Sequence, residues 1–355
     1  MKRWCWIFLA LLLCGCREQL APKETGTAHY DRPGQSSRKT EESCDMTVFA
    51  MDTVMSLSVY GGNDRLMSQA EERIKQLEGL FSVTDENSEI HELNSRGKAK
   101  LSEDTERLLE SALKMCSRTQ GTLDISIYPV VKSWGFTTGE YHVPGKEERA
   151  QLLENVDYRK IRLTSGHASL EPDMEIDLGS VAKGYTGDEL LALLRENGIT
   201  SALLNLGGNV QTLGSRPDGT DWLIAIQDPQ GSGYLGGVAV SDKAVITSGG
   251  YERFFEDEDG NIYWHIIDPV TGAPAENGLI SVTVVSESGL LCDALSTSLF
   301  VMGMEKAEEH WRQYGDFEAV FVEADGTISM TEGLEESFIP ADAGLERDRR
   351  IIRRN

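Results

Sequence analysis

Three short stretches of this chain carry groups that could do chemistry. Asp293 and Thr297 stand four residues apart in an apolar helical pattern, so they share a helix face one turn apart. A carboxylate and a hydroxyl are hard oxygen donors that suit Mg²⁺, an ion that keeps waters and prefers phosphate ligands. On spacing alone, an N-capping Asp with a Thr bonded to the preceding turn is the commoner use of such a pair. The second stretch, E-I-D-L-G-S-V-A-K-G-Y-T-G-D (Glu175 to Asp188), passes through Gly179 and Ser180 into a helical pattern carried by Ala182, Tyr185, Leu190, Leu191 and Leu194. A helix opening on small residues offers unpaired N–H groups and the positive end of its dipole to an anion, and Lys183 adds a full charge. Asp177, just before it, could hold a metal ion or accept hydrogen bonds from a sugar or ring. The spacing is not that of a Walker loop, and packing alone accounts for many such Gly-rich turns. The third stretch holds His265 in a strand pattern beside aromatic residues, where a lone His is more often a satisfied core residue than a catalyst. Asp124 and Asp177 each interrupt or end an apolar segment, which is costly unless the carboxylate is paired or liganded.

The elements that must position these groups follow from periodicity. Thr47 to Tyr60 alternates apolar and polar residues as a strand with a Gly61-Gly62 turn. Leu66, Ala70, Ile74, Leu77 and Phe81 mark a first helix, and Phe81 to Asn94 reads as polar turns. Leu108, Leu109, Ala112, Met115 and Cys116 mark a second helix stopped at Gly121, followed by an apolar segment from Leu123 to Phe136. Arg159 to Leu170 alternates as a strand. After the Glu175–Asp188 stretch, strands are expected at Ser201–Leu206, Trp222–Ile226, Gly237–Val240, Ala244–Tyr251, Tyr263–Asp268 and Ile280–Ser286, then one long helix from Asp293 to about Gln313. Helices between groups of strands with hairpin-length links predict an α+β fold. It is a single domain with a mixed, mostly antiparallel sheet and packed helices.

Taken in order, these segments resemble one family, the FAD:protein FMN transferases (the ApbE family of flavin transferases). The stretches that carry the resemblance are F-A-M-D-T (Phe49 to Thr53), L-D-I-S-I-Y-P-V-V-K-S-W-G-F, I-D-L-G-S-V-A-K-G-Y and L-N-L-G-G-N-V. A-V-I-T-S-G-G-Y-E-R-F-F, H-I-I-D-P-V-T-G and D-A-L-S-T-S-L-F-V-M-G follow, and together they span roughly residues 47 to 305. The resemblance implies a Mg²⁺-dependent transfer in which FAD is bound, a Thr or Ser hydroxyl of an acceptor flavoprotein attacks the FMN phosphorus, and AMP leaves. It makes Asp293 and Thr297 metal ligands with a backbone carbonyl near Ser180. It places Met51, Thr122, Leu123, Asp124, Asp177 and Lys183 on FAD, and gives Thr84 a weaker match to a flavin contact. It sets His265 near the diphosphate, where its ordinary pKa near 6.5 would suit deprotonation of the incoming hydroxyl, with Asp293 sharing the catalytic role. Ser180 stands where Gly or Thr is common, Gly250 where Asp is common, and Tyr128 where Gly is common. The same resemblance leaves FAD hydrolysis to FMN and AMP, or flavin binding without turnover, as alternatives.

The rest of the chain bounds the setting. Residues 1–15 read as a signal peptide: Lys2 and Arg3 precede a short apolar run, and Leu13-Cys14-Gly15-Cys16 resembles a bacterial lipobox with Cys16 as the lipidated residue. Residues 16–46 read as a flexible tether, 47–341 as the transferase domain, and 342–355 as a basic tail containing Arg347, Arg349, Arg350, Arg353 and Arg354, frayed or in contact with anionic lipid or a partner. This predicts a lipid-anchored protein on the extracytoplasmic face of a bacterial membrane, whose acceptor could be a subunit of a membrane redox complex. The net charge of −24 argues against nucleic acid, which needs a basic footprint. Beyond Cys16 only Cys44, Cys116 and Cys292 remain, too few and too far apart for a disulfide framework or a zinc site.

Overall fold

The alternating run at the start of the domain folds as two strands, not one. In the computed structural model, which describes residues 42–342 and 347–354, β1 (Ser43–Ala50) and β2 (Thr53–Tyr60) form an antiparallel hairpin. The chain reverses at Met51 (φ 50°) and Asp52 (φ 59°), both left-handed, which is the backbone a two-residue hairpin needs and a Met rarely adopts. β1 thus begins at Ser43, within the segment expected as tether. The expected signal peptide, Cys16 and residues 17–41 lie outside the described residues.

Eight more helices and strands lead to the site. α1 (Asp64–Phe81) is capped by Asn63, and its Leu66, Ala70, Ile74 and Leu77 are buried. The polar stretch after it, read as turns, contains α2 (Glu89–Arg96), because Ser88 caps its N-terminus and Gly97 ends it in the left-handed region. Then come β3 (Lys98–Lys100) and α3 (Glu103–Arg118), followed by a 3₁₀ turn at Ile125–Ile127, α4 (Tyr128–Ser133) and α5 (Lys146–Leu153). Arg159–Leu170 is not one strand. It is a tight hairpin of β4 (Arg162–Thr164) and β5 (His167–Ser169), turned at Ser165 and Gly166 with positive φ.

α6 (Gly179–Glu196) is followed by β6 (Ser201–Leu206), β7 (Asn209–Leu213), β8 (Trp222–Gln227), β9 (Tyr234–Val240) and β10 (Ala244–Gly249). β11 (Phe254–Glu256) and β12 (Ile262–Trp264) make a small separate hairpin, so the strand expected at Tyr263–Asp268 stops at Trp264. β13 (Leu279–Ser286) leads into α7 (Gly289–Met302) and α8 (Met304–Tyr314). The expected long helix is therefore two helices. Gly303 (φ 76°, ψ 169°) breaks it in a conformation that is essentially closed to other residues. β14 (Glu318–Glu323), β15 (Ile328–Thr331), β16 (Phe338–Pro340) and β17 (Arg349–Ile352) complete the chain.

The main sheet has nine strands in the order β1-β2-β6-β7-β10-β13-β14-β15-β17, antiparallel except for β15–β17. Alternate residues face two layers. Ile246, Val282, Val284 and Phe321 meet α3, α6 and α7, while Val245, Val285, Val320 and Val322 meet a three-stranded sheet of β8, β9 and β16. At the other end Met55, Leu57 and Leu204 pack on α1 and on Leu190, Leu191 and Leu194 of α6. The expected α+β architecture is what is observed. Cys116 and Cys292 are buried free thiols. Among the described residues no helix is long and apolar enough to cross a membrane.

The basic tail is part of this sheet, not a frayed end. Arg347 makes two hydrogen bonds to the buried Asp228 (2.7 and 2.8 Å), Arg350 pairs with Glu308, and the Arg354 guanidinium lies 4.5 Å from the Trp311 ring centre. Arg347, Arg350 and Arg354 are engaged inside the molecule, which argues against the lipid-contact reading.

Candidate active site

The centre of the site is where α6 crosses α7. Asp293 is not at a helix start: Ser288 caps α7, and Asp293 lies in the second turn, 4% exposed. Its Oδ2 accepts the Gly184 N–H at 2.9 Å, and its Oδ1 stands 4.0 Å from Lys183 Nζ. The N-cap alternative is thereby excluded. Thr297, one turn on, hydrogen-bonds through its hydroxyl with Ser248 at the end of β10 (3.2 Å). Tertiary packing thus brings together Lys183 and Asp293, which lie over a hundred residues apart in the chain.

The start of α6 differs from a free anion-binding terminus. Leu178 at the cap position has no side chain to offer, and Asp177 Oδ1 takes the Gly179 N–H at 2.9 Å. Burial pushes the Asp177 carboxyl up, while the Gly179 N–H, Lys183 and Arg253 pull it down. Its backbone is set from two sides. The Asp177 N–H donates to the Ile125 carbonyl (2.9 Å), and the Asn94 amide of α2 clamps Ile176 with bonds of 2.7 and 2.8 Å. The first of these joins Asp177 to the Thr122–Leu123–Asp124 segment. There the Asp124 carboxylate is taken up internally by Ser126 N–H and Oγ (2.9 and 2.6 Å) and Tyr158 N–H (3.1 Å), while the Thr122 hydroxyl donates to the Thr119 carbonyl (2.9 Å) and Leu123 is buried. In this segment the Asp124 side chain holds the fold.

His265 directly follows β12. Its backbone N–H donates to the Arg253 carbonyl, and its Nδ1 lies 3.1 Å from the same oxygen. A carbonyl only accepts, so Nδ1 carries the proton and Nε2 keeps its lone pair. Burial lowers the ring to about 4, opposed by that carbonyl and assisted by the charges of Arg253 and Lys183. Phe136 lies edge-on to the ring at 6.3 Å. Met51, at the hairpin turn, donates its N–H to Glu78 (2.6 Å) and brings its sulfur within 3.8 Å of the Thr186 hydroxyl on α6. Thr84 lies apart, in an exposed turn closed by Ser82, and no recorded bond joins it to the cluster.

Sequence reasoning missed Glu252 and Arg253. Glu252 is coupled electrostatically to Lys183 and Asp293, and Arg253 to Asp177 and His265. Their signal was a charged pair directly after a small-residue strand end, S-G-G-Y-E-R.

The donor set fits a hard divalent cation. Among the described residues no group of three or more His, Cys, Asp or Glu side chains could hold a metal alone. Asp293 is a buried carboxylate that receives one hydrogen bond, from Gly184, and has the Thr297 hydroxyl on its own helix face. Two side-chain oxygens with main chain suit an ion that completes its shell with water and phosphate.

The fold and this cluster define a class of protein: an α+β domain with a buried carboxylate and a lysine where two helices cross. The ApbE family model matches residues 51–321, and the chain belongs to that family. The FAD:protein FMN transferase of Klebsiella pneumoniae is 32% identical over 304 residues, covering 83% of this chain and 94% of that protein. The Treponema pallidum protein of the same name is 33% identical over 291 residues, with 76% and 80% covered. Among solved structures, the ApbE protein of Thermotoga maritima is similar with a TM-score of 0.79 at 29% identity, over 83% of this chain and 99% of that one. The flavin transferase ApbE from Vibrio cholerae has a TM-score of 0.75 at 26% identity, with the same coverage.

Proposed function

We propose that this protein transfers the FMN moiety of FAD to a Thr or Ser hydroxyl of an acceptor flavoprotein and releases AMP. What carries this reading is the buried Asp293 carboxylate held on Gly184 beside Lys183, in a chain of the ApbE family whose relatives bear that activity as their name. The new bond joins the acceptor oxygen to the FMN phosphorus, and the bond that breaks is that phosphorus to the bridging oxygen, which leaves with AMP. His265 Nε2 takes the proton from the incoming hydroxyl. A diphosphate beside it adds negative charge, which raises the ring's pKa from its value in the free protein. Lys183 places positive charge on the diphosphate, while Met51 and the 122–124 backbone line the flavin side.

Asp293, Thr297 and the main chain near Ser180 would hold Mg²⁺. That ion neutralises charge on the diphosphate in reactions of this kind. Purified protein with FAD, Mg²⁺ and an acceptor domain is expected to yield a covalently fluorescent acceptor and AMP. AMP without acceptor labelling would turn the reading to FAD hydrolysis, and no product at all would leave a flavin binder. Asp293→Ala is expected to abolish turnover; an active variant sinks the metal assignment.

The anchor is part of the same proposal. Lipidation of Cys16 would hold the domain on the extracytoplasmic face, near acceptors in membrane redox complexes. Cys16→Ser is expected to move the protein from the membrane to the soluble fraction, which immunoblotting of fractionated cells reads directly.

A further inference from the structure

Gly184 lies in the second turn of α6, and the crossing with α7 is built on it. Its N–H, which a regular helix aims at the Ser180 carbonyl, donates to Asp293 Oδ2 at 2.9 Å. A Cβ there would fall 2.3 Å from the Gly289 carbonyl oxygen and 2.8 Å from Asp293 Cβ, so no side chain is compatible with the crossing. Two polar residues hold this contact. Gln211 of β7, fully buried, donates through Nε2 to the Gly184 carbonyl at 2.9 Å and packs against Gly187 and Gly289. Asp188 of α6 accepts the N–H groups of Gly289 (2.6 Å) and Leu290 (3.0 Å) and the Ser288 hydroxyl (3.2 Å), closing the N-terminus of α7.

Gln211 is a poor choice for stability alone. Its Oε1 is buried with no partner among the described residues, which is destabilising relative to a satisfied or apolar group. What it provides is direction. We propose that Gln211 and Asp188 are positioning residues for the cation site: they fix the Gly184–Gly289 contact and so set the Asp293 carboxylate against the Ser180 main chain. The Gly184 N–H that a regular helix aims at the Ser180 carbonyl is thereby engaged by the Asp293 carboxylate. The inference rests on the reading of Asp293 as a cation ligand.

The test uses Mn²⁺ as a paramagnetic probe, with free Mn²⁺ read by electron paramagnetic resonance in the presence of FAD. Gln211→Met and Asp188→Asn are compared with the wild type, alongside thermal melting and FAD affinity in EDTA by flavin fluorescence. The expected result is an increase of about tenfold or more in the Mn²⁺ dissociation constant, with FAD affinity in EDTA changed by less than about twofold. Folded variants that bind Mn²⁺ like the wild type overturn the proposal, because a merely structural role lowers melting and leaves the affinity of the folded protein alone. Should Gln211→Met fail to fold, Gln211→Asn, which keeps the amide and withdraws it by one methylene, is judged by the same criterion. A wild type that binds no Mn²⁺ sinks the cation reading itself, and the inference with it.

Discussion

His265 and His310 show how much a ring's surroundings decide. Both are lowered to about 4, chiefly by burial. His265 has Nδ1 held by a carbonyl, so at neutral pH the ring is uncharged with its Nε2 lone pair free of that bond. His310 packs at a tilt against Tyr314, ring centres 4.5 Å apart, and its Nε2 has no partner among the described residues. Arg118 adds to its lowering and Asp316 opposes it. In the unfolded chain such a ring titrates near 6.5. Between about pH 6.5 and 4 the unfolded state therefore binds more protons than the folded one, and stability falls as pH falls through that window. His310→Phe is expected to make urea-derived stability less steep across that range. At pH 7.5 it should lose no more than about 1.5 kcal/mol, the usual limit for volume-conserving swaps. An unchanged slope would mean that His310 is not one of the groups responsible. At this scale the residue types were legible in the sequence, but their states were not. Asp124 was visible as a carboxylate in an apolar segment, and only the folded chain shows that Ser126 and Tyr158 consume it.

At the scale of elements, glycines and caps decide boundaries that periodicity blurs. The apolar pattern runs on through Gly303, yet its backbone at φ 76° and ψ 169° ends α7 and restarts the chain as α8. Gly303→Ala is expected to lose about 1–3 kcal/mol of stability in urea unfolding, the usual penalty for a side chain in that region, while leaving FAD binding unchanged. A neutral substitution would show that the break is tolerant. The start of α7 at Gly289 changed the meaning of Asp293 from a cap to a buried side chain one turn inside. α2 was hidden because its polar residues read as turns. Its Asn94 is nonetheless what holds Ile176, and through it Asp177.

At the scale of the whole molecule, both ends of the described residues lie at edges of the main sheet. The N-terminal hairpin sits at one edge of the nine-stranded sheet, and the C-terminal strand closes the other. Ile352 is 2% exposed, and Arg347 pairs with the buried Asp228. Removing residues 347–355 is expected to lower stability by at least about 3 kcal/mol, from one lost apolar side chain and one carboxylate left unpaired. Denaturant unfolding of the truncated protein measures this, and a midpoint equal to that of the full chain would refute it.

Strand alternation, helix periodicity and the order of the short motifs were determined by the sequence itself. They are local properties that need no knowledge of neighbours, and they were enough for the α+β class and the family. Asp293, Thr297, Lys183, Asp177 and His265 were likewise visible as types with suitable spacing. The tertiary structure alone decided which of them meet. A period of 3.6 or 2 tells which face of an element is buried, but not what it is buried against. The bond from Gly184 to Asp293 spans 109 residues, and no local pattern encodes such a pair. The same reason hid Glu252 and Arg253, the internal use of Asp124, and the pairing of a basic tail that composition alone made look free.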